Sequence, residues 1–413
     1  MKLCERQPGR IRKAVTPPLA PIPLREEQTL MAQQAPVIVS SESPFARDVF
    51  TKRHPALIER LLEAWPFGPE QRRALSVLAE ENVHGVIRPL PEGAADAPLW
   101  RDRGNGLYGR PWTEVPFLWA ESFFYRRLLE ATGYLRPGPW LGVDPFAPFK
   151  QAELAGEAVS AEIAALDDVV ELAEEEQGQA LLLSSLWGNR ADLGFQITAG
   201  QGIEASGLVA DDSARLWELL RSGAGGTVAV VADNAGGEMV ADLALVDHLL
   251  AHGLADEVVL HVKPSPYYVS DATLADVADC LRALLRGKGE ARAAGERLRE
   301  AAALGRLRVR ADSFFCAPFD YTALPEALRQ EFASAAVTIL KGDLNYRRLV
   351  GDRWWDPTTP FAAVTGHFPG RIAALRTLKS DVVVGLGAGT LAELDSTPDW
   401  RTSGTYAVVQ VRP

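Results

Sequence analysis

The chain changes its hydrophobic rhythm once. Over 48–62, 71–83 and 113–130, apolar residues recur at three- and four-residue steps, the spacing that lines one face of a helix. The third stretch reads as a single helix with Thr113 as N-cap and Pro116 in its first turn. A Gly/Pro-rich connection occupies 140–149. Residues 151–187 hold no Lys or Arg but carry Glu153, Glu157, Glu162, Asp167, Asp168, Glu171 and Glu174 to Glu176, and read as helices with an acidic, solvated face.

Past residue 225 the grammar becomes one of short continuous apolar runs: 227–232, 257–263, a weak one at 307–310, then 336–340, 372–378 and 406–411. Helical stretches at 237–250, at 271–285 and onward to 304 separate the first three. Such alternation predicts a parallel, doubly wound sheet covered on both faces. The expected fold class is α/β, a three-layer α/β/α Rossmann-like core with an N-terminal all-helical domain. The expected division is a flexible Pro-rich arm over 1–42, a mostly helical domain over 43–215 and an α/β/α catalytic domain over 216–413.

Composition narrows the function. Of 413 residues, 43 are Lys or Arg and 54 are Asp or Glu, a net charge of −11, which argues against sequence-blind nucleic-acid binding. No apolar run approaches the ~20 residues that span a bilayer. Cys4, Cys280 and Cys316 are too scattered for a zinc ribbon or a disulfide framework, so a reducing, cytoplasmic setting is expected. The basic N-terminus runs into Pro17–Pro23 rather than an apolar core, unlike a signal peptide, and Met31 is an alternative start. The expected partner is a small molecule, with no obligate protein partner, no membrane and no nucleic acid.

Ligands of open α/β sheets sit beyond the carboxyl ends of the strands. Four clusters lie there. Asp233 and Asn234 follow the first run and offer hard oxygen donors suited to a divalent cation, with Gly236, Gly237 and a helix N-terminus able to receive an anion; the plainer alternative is a βα turn with a capping residue. Asp271 follows the second run, either as a helix N-cap or as a third oxygen ligand if the two strands are neighbours. Lys341, Gly342, Asp343, Leu344, Asn345, Tyr346 and Arg347 follow the fourth; Lys341 and Arg347 are candidates to hold phosphate oxygens and Asp343 a water or sugar hydroxyl, against a solvated loop. Arg376 and Lys379 at the fifth add positive charge, or a surface face. Two acids and an amide beside two cationic segments suit a divalent metal holding a phosphate ester.

These strings together resemble the damage-control phosphatase family, in the branch of the acidic-residue-methyltransferase-like proteins. The resemblance lies in Asp233-Asn-Ala-Gly-Gly-Glu238, Val269-Ser-Asp271, Lys341-Gly-Asp-Leu-Asn-Tyr-Arg347 and Arg376-Thr-Leu-Lys379, the last being that branch's Arg-Thr-x-Lys signature. It extends through Trp112-Thr-Glu114-Val-Pro, Glu121, Tyr125-Arg-Arg127 and Leu186-Trp-Gly-Asn189-Arg-Ala-Asp192, and so covers nearly everything after residue 42. The Pro-rich arm lies outside it, and Gly237 replaces a residue that is often larger. The resemblance implies a helical domain on an α/β/α core and a metal-dependent phosphatase using Mn2+, Co2+ or Ni2+, with Mg2+ admissible. It implies Asp233, Asn234 and Asp271 as metal ligands. Glu238, the Asp343–Arg347 segment and Lys379 become substrate contacts, and small sugar phosphates such as fructose 1-phosphate the substrates. Of the candidates, Asp233, Asp343 and Lys379 are those expected to carry the chemistry, the nucleophile being either a metal-activated water or a carboxylate. The alternative function is S-adenosylmethionine-dependent carboxyl methyl transfer, although the turn after the first run lacks the Gly-x-Gly spacing usual for that cofactor. A non-catalytic scaffold and, without a GxGxxG, an NAD-type oxidoreductase are weaker readings. His248 and His252 share a helix face but lack a zincin Glu. Glu114, Glu121 and Arg126 are expected to form a polar network within the helical domain, and Trp187 and Asn189 to support a domain junction.

Overall fold

A computed structural model of the protein describes residues 35–188, 207–223 and 225–413. Seven strands form one sheet: β1 (Leu208–Asp211), β2 (Thr227–Val231), β3 (Glu257–Val262), β4 (Leu307–Ala311), β5 (Val337–Lys341), β6 (Ile372–Thr377) and β7 (Ala407–Arg412). Their order is β1-β7-β6-β5-β2-β3-β4. From β4 across to β6 all neighbours are parallel, in register Val230 with Leu260 on one side and with Ile339 on the other. Central strands are apolar without alternation because helices cover both faces. Successive residues still serve different layers: Val228 and Val230 enter one core, Ala229 and Val231 the other.

The expectation of a wholly parallel sheet fails at one edge. β7 runs antiparallel to β6, because the chain returns along the edge it has just left instead of crossing a face. β1 then pairs parallel with β7; it lies in a stretch read as helical and was too short and too mixed to register as an apolar run.

The helices that matter are α1 (His54–Ala64), α2 (Pro69–His84), α3 (Phe117–Thr132), α4 (Glu157–Val169), α5 (Glu174–Trp187), α6 (Gly237–Ala251), α7 (Leu274–Arg286), α8 (Gly289–Ala303) and α9 (Gly342–Val350). Before α1 the ladder slips through a π-turn at Val49–Arg53, where Pro55 cannot donate to the carbonyl four residues back. α3 starts at Phe117, not Thr113. Val115 is held extended (φ −124°, ψ 167°), as a residue before proline prefers, so Trp112–Glu114 closes off as a separate 3-10 turn.

α4 and α5, on the N-terminal side of the expected domain boundary, pack in one core with α6, α7, α8 and the sheet. The expected solvated face of 151–187 is interrupted by Glu162, which is buried and accepts a hydrogen bond from Ser184 Oγ at 2.7 Å. The expected arm also contains docked residues: Ile38 is buried, its N–H donates to Asp352 O, and its carbonyl accepts from Phe117 N.

Candidate active site

Strand order reverses between β2 and β5, since the chain proceeds outward from β2 to β3 and β4 on one side and from β5 to β6 on the other. The crevice at such a reversal is where open α/β sheets hold ligands. Asp233 lies just past β2, Asp271 past β3, Gly342 and Asp343 past β5, and Lys379 past β6.

Asp233, Asn234 and Asp271 do converge. Asn234 and Asp271 face each other as an isolated antiparallel bridge. Ala272 N donates to Asp233 O at 2.8 Å, and Ala235 N to Ser270 O at 2.7 Å. Asp271 is not the N-cap of α7. Thr273 takes that position, with its N–H and Oγ1 both donating to Asp276 Oδ2, which leaves the Asp271 carboxylate for the crevice. The Asn234 Nδ2 donates to Asp233 Oδ2 and Glu238 Oε2, each at 2.9 Å, and Ser270 Oγ donates to Asn234 Oδ1 at 2.6 Å. Asp271 Oδ2 stands 3.2 Å from Lys263 Nζ, yet neither atom is aligned for a hydrogen bond and both are buried without one. Burial raises the Asp233 carboxyl well above the usual range, with the Glu238 and Asp271 charges adding to it and Lys263 and Lys379 opposing. Asp271 is raised too, again by burial, against the pull of Lys263. The corner therefore has more carboxylate than cation to balance it.

Gly342 explains how close β5 comes. It sits at φ +80°, and a Cβ there would fall 1.8 Å from Asp233 Oδ2, so only glycine lets the Asp233 carboxylate rest against the start of α9. No side chain caps α9, and its leading N–H groups lack intrahelical acceptors. Asp343 stands in this first turn, its Oδ1 receiving Arg376 Nε at 2.8 Å and Ser380 Oγ at 2.9 Å. Lys379 is exposed beside them.

Several expected phosphate-binding side chains are instead committed inside the chain. Lys341, 1% exposed, donates to Ser185 O, to Asp242 Oδ1 at 2.7 Å and to Glu238 Oε1 at 3.1 Å; its three N–H groups are engaged. Arg347 grips Asp352 with Nε and Nη2, at 2.8 and 3.1 Å, and Glu121 with Nη1 at 2.7 Å. Glu121 therefore joins α3 to α9 and does not belong to a network internal to the helical domain, whereas Arg126 does, through Asp96 and Glu130. Arg376, with no exposed surface, holds Asp343, Ser380 and Val382 O. Leu344 is core, Asn345 ties Lys341 O to Tyr321, and Tyr346 donates to Gln410 Oε1. The polar side chains among them share one trait: each is held by partners within the chain.

Other participants carried no local signal. Lys263 ends an apolar run, Asp242 lies within a helical stretch, Ser270 was quoted only as part of the Val269-Ser-Asp271 string, and Glu153 belonged to a stretch read as surface. The Glu153 carboxylate occupies the start of α6 where an anion was expected: Gly237 N donates to its Oε1 at 3.4 Å, and a Cβ on Gly236 (φ +69°) would lie 2.5 Å from that oxygen. The His248 and His252 rings lie with centroids 4.3 Å apart and planes tilted by 36°. Trp187 packs against Gly207; Asn189 and Asp192 lie outside the described residues. No group of three or more His, Cys, Asp or Glu side chains set to hold a metal occurs among the described residues; the candidate ligand set is two carboxylates and an amide. No helix among them is long and apolar enough to cross a membrane.

A family model described as the damage-control phosphatase ARMT1-like domain matches residues 49–394. Damage-control phosphatase ARMT1 of Danio rerio is 31% identical over 386 residues, covering 82% of this chain and 85% of that protein. The protein of the same name from Mus musculus is 32% identical over 384 residues, covering 82% and 87%. Among solved structures, a DUF89 family protein from Pyrococcus horikoshii aligns with a TM-score of 0.47 at 16% identity, over 87% of this chain and 96% of that one.

Proposed function

The chain belongs to the ARMT1-like damage-control phosphatase family, and from that premise we propose that it is a divalent-metal-dependent phosphomonoesterase of small sugar phosphates, fructose 1-phosphate among them. The observation that carries the metal is the convergence of the buried Asp271 carboxylate, whose close partner is Lys263 Nζ at 3.2 Å, with Asp233 and Asn234 at the strand-order reversal. The donor set fits a hard or borderline cation such as Mn2+, Co2+ or Ni2+. A half-turn of the Asn234 amide turns its oxygen toward the Asp233 and Glu238 carboxylates, and its Nδ2 then donates to Ser270 Oγ. The excess negative charge of the corner points the same way, since Lys263 and Lys379 offset only part of it.

A divalent cation held there supplies positive charge to a phosphoryl oxygen. The chain supplies the rest. Lys379, exposed and in no ion pair among the described residues, reaches a second phosphate oxygen. The leading N–H groups of α9 receive a third, so the Asp343–Arg347 segment contacts substrate through its backbone. Hydrolysis breaks the P–O ester bond and places a water oxygen on phosphorus. Asp343 takes the proton of that water with Oδ2, the oxygen that Arg376 and Ser380 leave free, and the departing sugar oxygen takes a proton from solvent to leave as the hydroxyl. Glu238, locked by Lys341 and Asn234, contacts the sugar.

The test is a metal-by-substrate screen of phosphometabolites on the parent and Asp233→Ala, with Mn2+ titration by calorimetry. The parent binds Mn2+ and turns over; the variant does neither. An Asp233→Ala protein that hydrolyses sugar phosphates as fast as its parent in added Mn2+ sinks the proposal, as would tight, metal-independent binding of S-adenosylmethionine.

A further inference from the structure

The segment that delivers Asp271 is strained. Tyr268 (φ 44°) and Val269 (φ 67°) occupy the left-handed region in succession, and a β-branched residue there is a genuine outlier. Ser270 N donates back to Tyr268 O at 2.8 Å. That i to i+2 bond around a positive-φ residue makes a γ-turn of the rare, strained hand. The two residues that follow the turn are those that touch the metal corner: Ser270 holds the Asn234 amide, and Asp271 bridges Asn234 and brings its buried carboxylate.

Strain persists only where surroundings over-determine it. Here the constraint comes from α3, more than 140 residues earlier in the chain. The Tyr268 ring stacks on Tyr125, with centroids 4.6 Å apart and planes 26° apart, and the Tyr268 hydroxyl lies 3.3 Å from Ser122 Oγ. Tyr267, buried, packs edge-on against both rings. On the other side of the turn, Ala235 N and Ala272 N tie the segment to the Asp233–Asn234 backbone.

We propose that Val269 and the Tyr125–Tyr268 stack are positioning residues for the metal site: the aromatic clamp from the helical half enforces the γ-turn, and the turn fixes Ser270 and Asp271 in the geometry that receives the cation. This rests on the metal reading above. Glycine at 269 adopts the same φ freely and releases the turn to other conformations. The metal must then order it on binding.

The experiment titrates Mn2+ alone into the full chain by calorimetry and records Tm in parallel. Val269→Gly should bind Mn2+ about tenfold more weakly, the effect of re-fixing roughly one residue's backbone, with Tm unchanged or higher because strain is relieved. Tyr125→Leu, which leaves the turn's own sequence intact, should weaken Mn2+ similarly, and Val269→Gly should add little on top of it. A purely structural role would lower Tm and leave the affinity alone. Equal or tighter binding by Val269→Gly overturns the inference while the metal reading stands. A parent that binds no Mn2+ overturns both, and is told apart by that control.

Discussion

Replacing Arg347 with alanine separates the two roles this residue was open to. In the structure it is 3% exposed, makes three charge-assisted hydrogen bonds to Asp352 and Glu121, and lies over the Phe117 ring at 4.3 Å. Truncation leaves two buried carboxylates uncompensated, which costs about 3–5 kcal/mol. The lost ring contact adds about 0.5–1 kcal/mol. Protonation softens the loss. Burial already raises the Glu121 carboxyl and Arg347 is the main opposing influence, so without it Glu121 binds a proton more readily. A net loss of about 4 kcal/mol is expected near neutral pH, and less at pH 5.5 than at pH 8. With an unfolding entropy of ~2.1 cal/mol/K per residue over 413 residues, that is a fall in Tm of about 5 °C. The triple variant Glu121→Gln, Arg347→Met, Asp352→Asn, which removes all three charges together, should recover much of it. The assay is differential scanning calorimetry beside steady-state kinetics on a sugar phosphate. If Arg347→Ala keeps its Tm and instead raises KM tenfold, the guanidinium reaches substrate and the placement argued here is wrong.

Lys379 should behave in the opposite way: Lys379→Ala leaves Tm within about 1 °C, because an exposed residue without partners holds little together, and lowers kcat/KM at least about tenfold, the share of one phosphate contact. Gly342→Ala should lose Mn2+ binding in calorimetry and cost about 1 kcal/mol or more in urea unfolding, since a side chain at φ +80° is strained and its Cβ would displace the Asp233 carboxylate from 1.8 Å; intact Mn2+ affinity would mean that Asp233 does not need that position. Glu162 is 6% exposed and pushed up to about 7 from 4.5, mainly by burial. Between those values the folded chain holds a proton that the unfolded chain releases, so this group lowers stability as pH rises from 4.5 to 7, by up to about 3 kcal/mol. Glu162→Gln, which can still accept from Ser184, should therefore raise stability at pH 8 and change it little at pH 4.5; a gain that does not depend on pH would exclude the titration as its cause.

The architecture could be read along the chain wherever one signal decided it. Buried parallel strands announce themselves as apolar runs between helices, and β2, β3, β5 and β6 were found within a residue or two. β1 and the reversed direction of β7 were not, because a strand's direction is set by its connection and neighbour, not by its own side chains. The corner of Asp233, Asn234 and Asp271 could be anticipated because a carboxylate just past a central strand has few places to go: the strand end fixes its backbone, and parallel neighbours bring the ends together. The γ-turn at Val269 could not, since nothing in Tyr-Tyr-Val-Ser indicates positive φ; the aromatic partner that enforces it is on α3.

The pairing of the cations was hidden for a related reason. Lys341, Arg347 and Arg376 follow strands in polar surroundings, as a phosphate-binding residue would, but a basic side chain is available to substrate only if no acid has folded onto it. Asp242 and Glu238 reach Lys341 from about a hundred residues upstream, Glu121 reaches Arg347 from over two hundred, and Asp343 reaches Arg376 from the neighbouring strand end. Burial decides between the two fates. A cation this deep would cost several kcal/mol if left unpaired in the free protein, so each is matched before any ligand arrives. Lys379 alone of the four candidate cations is exposed and has no ion pair among the described residues, and can await a phosphate in water at little cost. The matched cations then act at one remove: Lys341 fixes Glu238, Arg376 fixes Asp343, and Arg347 secures the helical half whose Tyr125 clamps the turn before Asp271. A substrate cation in such a crevice is thus the one the fold leaves wet, while its buried neighbours aim the carboxylates.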